Sequence, residues 1–153
     1  MKQIILLFFG FLVSHQCFSQ SLEGEWKGEL IITSTSAKPL KAHSSPVPIS
    51  LKFILNQDST YNIYSYSPVQ NLPGKEIIII CKVNYKLLPK NSIYLEETEV
   101  LNPEYYFNNC FQKMYLKMIR KKKTITLYGT WENIHTEFCD SAGSIHFDKI
   151  LTN

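Results

Sequence analysis

The run Thr124-Ile125-Thr126-Leu127-Tyr128-Gly129-Thr130-Trp131 decides the fold. Ile125, Leu127, Gly129 and Trp131 alternate with Thr124, Thr126, Tyr128 and Thr130, a period of two that puts one set on each face of a β-strand. The rhythm recurs along the chain. Leu22, Gly24, Trp26, Gly28 and Leu30 alternate with Glu23, Glu25, Lys27 and Glu29, and Ile49, Leu51, Phe53 and Leu55 form a third apolar row. Asn56-Gln57-Asp58-Ser59 is a turn signal, after which residues 61–66 return as a strand. Residues 76–87, 93–101, 111–120 and 144–151 supply four more, separated by Pro89-Lys90-Asn91, Asn102-Pro103 and Lys121-Lys122-Lys123. Eight strands joined mainly by short turns predict an all-β fold: a single antiparallel up-and-down barrel of about eight strands, closed on itself to remove both exposed edges.

Two connections break the regularity. Residues 34–48, rich in Ser, Pro, Lys and Ala, read as a surface loop, with a lid over the barrel mouth as the alternative. Residues 103–109 have room for one helical turn. The echo between Leu22-x-Gly24-x-Trp26 and Leu127-x-Gly129-x-Trp131 sets a glycine beside each tryptophan on one strand face. It predicts two indoles folded over bare backbone and plugging the core.

The chain has 153 residues, the length of one domain, and its 44% hydrophobic content excludes disorder. Lys2 and the apolar run 4–13 are too short to cross a bilayer as a helix and read as a secretory signal. Cys17 and Ser19 supply the small residues that signal peptidase needs, so the expected division is a signal peptide over 1–19 and a barrel over 20–153. The processed protein is then secreted or periplasmic, with no transmembrane segment. Without Lys2 the 16 basic residues become 15 against 13 acidic, a net charge of +2 that calls for no polyanionic partner. Glu96, Glu97, Glu99 and Glu104 form an acidic stretch, and Lys113, Lys117 and residues 120–123 a basic one. No phosphate-cradling loop or stacking motif accompanies them, so they read as solvated strand ends and not as a nucleic-acid surface.

Cys81, Cys110 and Cys139 remain after processing, and an oxidising compartment favours one bridge. Cys81 follows Ile77-Ile78-Ile79-Ile80 and reads as a small buried hydrophobe. Cys110 and Cys139 stand at segment edges among Asn108, Asn109, Asp140 and Ser141, which favours these two as the disulfide. The histidines of the processed chain are His43, His135 and His146. His135, Cys139 and His146 lack the four-ligand spacing of a zinc site, and a Cys139 nucleophile needs a free thiol, so no metal, cofactor or catalytic residue is assigned. Glu96 and Glu97 point to opposite faces of a strand and cannot share one reaction centre. Glu96 shares its face with Tyr94 and Thr98, and Glu97 with Leu95 and Glu99. The expected default is a solvated pairing with Lys113 or Lys117, and the alternative is a polar anchor inside the barrel, formed with Tyr94.

The triplet Gly24-x-Trp26 on the first strand resembles the lipocalin and avidin type of calycin barrel. Trp26-Lys27-Gly28, Leu95-Glu96-Glu97, Cys110 before a strand, Leu127-x-Gly129-x-Trp131 and Cys139-x-x-x-Gly143-x-Ile145 together resemble secreted lipocalin-like β-barrel proteins of Bacteroidota. The resemblance covers most of the processed chain and implies a barrel with a Cys110–Cys139 bridge. Lipocalins also place an arginine against the first-strand tryptophan, whereas the arginine of this chain, Arg120, lies just before the Trp131 strand. The expected function is non-catalytic binding of a small hydrophobic or amphipathic ligand. Trp26, Leu51, Phe53, Leu127 and Trp131 are its expected lining, together with Leu30 and Ile125. The alternative is a structural or interaction protein of the cell envelope, with a filled core and a partner on Tyr61, Tyr64 and Tyr66.

Overall fold

The computed structural model describes residues 22–35, 38–39, 46–71, 75–102, 110–134, 139 and 141–150. The expected signal peptide, its cleavage point, His43, His135, Asp140 and the helical turn at 103–109 lie outside the described residues. The strands are β1 (Gly24–Thr35), β2 (Lys38–Pro39), β3 (Val47–Leu55), β4 (Tyr61–Asn71), β5 (Lys75–Leu88), β6 (Ser92–Val100), β7 (Gln112–Arg120), β8 (Thr124–Asn133) and β9 (Ser141–Ile150).

Each long strand pairs antiparallel with the next, and β1 also pairs with β9, so eight staves close into the expected up-and-down barrel. Closure satisfies the backbone groups that two free edges would expose. Within β1, Lys27 to Leu30 are paired on both sides, with Ser50 to Val47 of β3 and with Asp148 to Ile145 of β9. The stretch at 34–48 is partly strand. β1 runs on to Thr35 after a bulge between Ile32 and Ser34, and β2 folds back on its end through Ser34↔Pro39 and Thr35↔Lys38.

Period-two alternation delivers one side chain in two to the interior. Trp26, Leu51, Phe53, Leu127 and Trp131 are all buried there, together with Ile49, Ile63, Ile93, Leu95, Met114, Leu116, Ile125, Ile145 and Phe147. Aromatic rings fill one end of the barrel. Trp26 lies 6.2 Å from Phe53, Phe53 meets Tyr61 edge-on at 5.8 Å, and Tyr61 meets Tyr85 at 5.8 Å, separations typical of attractive ring pairs. Tyr61 therefore leaves the expected outward tyrosine set. It shares the inner face with Ile63, and only Tyr64 and Tyr66 point outward, because residues an odd number apart on a strand face opposite ways.

The Trp26 indole N–H donates to the Leu22 carbonyl at 2.8 Å. Lys149 of β9 sets its ammonium 5.7 Å from the centre of the same ring and donates to the Glu23 carbonyl. One tryptophan thus pins the chain entering β1 to the end of β9.

The glycines divide their expected role. Gly24 sits at φ +108°, a backbone conformation that only glycine adopts without strain. A Cβ on Gly129 would meet the Tyr115 carbonyl oxygen at 1.9 Å, so this residue is bare to admit the backbone of β7 and not the indole. Gly143, register partner of Trp131, is bare first for the Ile31 carbonyl oxygen, which a Cβ would meet at 1.8 Å, and then for the second indole, whose Nε1 it would approach to 3.0 Å.

Replacing Trp26 by Phe keeps a ring in the core but strands the Leu22 carbonyl and loses the better cation-binding face. Urea unfolding should show a loss of about 1 to 3 kcal/mol. A change within a few tenths would mean that this end of the barrel is not held by the indole.

Candidate functional site

On β4 the inner row runs Tyr61, Ile63, Ser65, Ser67, and on β6 it runs Ile93, Leu95, Glu97. Each begins apolar and turns polar at the same height. Ser65 and Glu97 are the buried polar side chains among the described residues, 1% and 4% exposed. The Ser65 hydroxyl donates to Glu97 Oε1 at 2.5 Å, and the Gln112 backbone N–H donates to Glu97 Oε2 at 3.0 Å. Cys81, opposite Ser65 on β5, completes the cluster.

A β-bulge selects which carboxylate goes inside. In the pairing of β5 with β6, Val83 faces Glu97 but Lys82 faces Glu99, so Thr98 is the extra residue. Strict alternation would turn Glu99 inward beside Glu97. The bulge sends Thr98 and Glu99 both to the exposed side and returns Val100 to the position opposite Cys81. The expected sharing of a face by Glu97 and Glu99 therefore fails, and of the two only Glu97 enters the interior. The expected anchor with Tyr94 fails as well. Tyr94 and Glu96 lie on the outer face, where the tyrosine hydroxyl donates to Glu96 Oε2 at 2.7 Å and Lys113 stands opposite Glu96 in register.

Burial pushes the Glu97 carboxyl above the ordinary carboxylate range, against the two hydrogen bonds that lower it. Burial, and then the charge of Glu97, push the Cys81 thiol up to about 12. A cysteine held as the thiol is a poor nucleophile.

These residues border a cavity of about 260 Å³ at the end of the barrel away from Trp26. Leu30, Ile32, Val47, Val69 and Ile79 give it an apolar wall, while Glu97, Cys81, Gln112, Asn133 and Trp131 supply polar edges. Of the residues expected to line a ligand site, Trp131 and Leu30 border this space. Trp26, Leu51, Phe53, Leu127 and Ile125 are packed into the core instead. The Trp131 indole nitrogen and Gln112 Oε1 are buried without a hydrogen-bond partner among the described residues.

Cys110 and Cys139 form the expected disulfide, with Cα atoms 5.4 Å apart. The bridge ties the approach to β7 to the approach to β9, and Cys110 borders the cavity. It also removes Cys139 from any zinc set or nucleophilic pair with the histidines. His146 lies half-buried on the outer face, opposite Glu29 and Tyr128.

Sequence reasoning missed Ser65, Gln112 and the inward turn of Glu97. The available signal was a polar residue in the apolar phase of a strand, at Ser65 after Tyr61 and Ile63 and at Glu97 after Ile93 and Leu95. No family model, curated protein or solved structure matches the chain.

The raised carboxyl has a defined consequence for stability. An acid whose folded pKa exceeds its unfolded value contributes fully below the unfolded value, and that contribution is lost as pH rises through the folded one. Glu97→Gln can keep both contacts, its oxygen accepting from Gln112 N–H and its amide donating to the Ser65 oxygen. Thermal unfolding of the two proteins should coincide near pH 4.5, the ordinary glutamate value, and wild type should fall behind as pH rises. A gap that narrows with rising pH would contradict the burial of Glu97.

Proposed function

We propose that the protein is a secreted, non-catalytic barrel, lipocalin-like in build, that holds one small apolar or amphipathic ligand in the cavity at its open end. The observation that carries this reading is the asymmetry of the interior. Aromatic rings fill one end, while the other keeps about 260 Å³ bordered, among the described residues, by an aliphatic wall, a few polar side chains and one carboxyl group. Ligand sites combine these features: a concave apolar wall and a few convergent polar groups. The volume lies just below the usual span for drug-sized ligands, which favours a molecule with a short chain or a single ring.

Two further observations support the export and the kinship. A disulfide such as Cys110–Cys139 persists in oxidising compartments, in agreement with the signal-like residues 1–19. Lys149 over Trp26 supplies a cation at the first-strand tryptophan, where lipocalins use an arginine.

A second reading, an envelope interaction protein, draws on the outer face. Tyr115, Tyr128, Ile78 and Ile119 are exposed there, and the Tyr94 and Tyr115 rings meet at a tilt with their centres 4.9 Å apart. It requires no cavity, and the binding experiment separates the two.

Octan-1-ol titrated into the purified, disulfide-bonded protein should change tryptophan fluorescence saturably, because Trp131 borders the cavity. Ile79→Phe, which places a ring in that space, should abolish the response while leaving the thermal transition in place. Absence of a saturable response in the wild type, to octan-1-ol and to probes of the same chain with a charged head group alike, would overturn the ligand-binding reading.

A further inference from the structure

We infer that the cavity selects ligands carrying a protonated amine on a short apolar body, with Glu97 as the group that receives the amine. This rests on the ligand-binding reading and names the ligand class. Among the described residues, the lining of the cavity includes one carboxyl group and no lysine, arginine or histidine. A ligand that reaches the boundary between open space and packed core therefore meets the Glu97 carboxyl group, with no lysine, arginine or histidine beside it among the described lining residues.

The hydrogen bonding of Glu97 leaves room for such a partner. An ionised carboxylate offers about four lone-pair sites. Ser65 occupies one on Oε1 and the Gln112 backbone N–H one on Oε2, so each oxygen retains acceptor capacity. Both partners approach as donors, which fixes the carboxyl group without neutralising it. The groups packed around it from β4, β5 and β7 are Ser65, Cys81 and Gln112, and the thiol of Cys81 is the only titratable one among them. An ammonium group brings a compensating charge and three donors to this position.

Other head groups fit less well. A carboxylate ligand would set a second negative charge against Glu97, and like charges that share a dry site cannot both stay ionised. An alcohol can donate one hydrogen bond but brings no charge. The expected order is therefore amine, then alcohol, then carboxylate, for bodies of equal size. Beyond the head group, the aliphatic wall of Leu30, Ile32, Val47 and Ile79 offers no hydrogen bond and suits an apolar body.

The test compares octylamine, octan-1-ol and octanoate as probes of matched length, read by tryptophan fluorescence on the full, disulfide-bonded protein near neutral pH. Octylamine should bind at least about tenfold more tightly than octan-1-ol, the increment of one charge-assisted hydrogen bond, and octanoate should bind most weakly. Glu97→Gln, shown to be folded by its thermal transition, should erase the preference for the amine and keep the affinity for the alcohol. Equal or tighter binding of octanoate, or an amine preference that survives Glu97→Gln, would overturn the inference and leave the cavity reading standing. Failure of all three probes to bind would overturn both.

Discussion

The antiparallel ladder between β1 and β9 is the constraint on which the rest of the structure depends. Eight strands laid out as an open meander would leave one face apolar and wet, and two edges with unpaired backbone groups. Pairing Lys27 with Asp148 and Leu30 with Ile145 rolls that sheet shut, so every inward side chain meets others across the barrel instead of water. Burial of Trp26, Phe53, Leu127 and Phe147 follows from closure and not from any single contact. So does the environment of Glu97: a carboxyl group on the inner face of an open sheet would be solvated and unperturbed.

Closure leaves the interior to be divided between filling and space, and the size of the inward residues settles the division. At one end the inner rows supply Trp26, Phe53, Tyr61 and Tyr85, whose rings interlock across β1, β3, β4 and β5. At the other end the rows supply Ser67, Val69, Ile79 and Val47, which are too short to meet in the middle. The bulge at Thr98 acts at the boundary between the two halves. It admits Glu97 and turns Glu99 away, so the open half receives one acid in place of two. A second buried carboxylate there would have raised the cost of burial sharply, since like charges in a dry site destabilise each other.

Much of this was legible in the sequence, because a period of two is a local property. The alternation around Leu127 and Trp131, and around Leu51 and Phe53, announced strands whose apolar face must be covered, and the short turns left a meander barrel as the economical solution. The edge positions of Cys110 and Cys139 pointed to the bridge. The phase of β6 was harder, because Glu96 and Glu97 are adjacent and either face offers a plausible polar row. Only the partners Val83 and Met114, inward on the neighbouring strands, decide between them. The bulge at Thr98 carries no residue signature of its own. The placement of Tyr61 at the closed end and of Gly143 against Trp131 depends on register across strands distant in sequence, which no single strand encodes.

Backbone amide hydrogen exchange, resolved by residue along β1 and β9, tests the closed barrel most directly. Closure predicts that amides from Lys27 to Leu30 and their partners from Ile145 to Asp148 exchange as slowly as those in the middle of β5 and β6. Alternating slow and fast amides along β9, the signature of a strand with one free edge, would contradict it and remove the sealed interior that the cavity and Glu97 require.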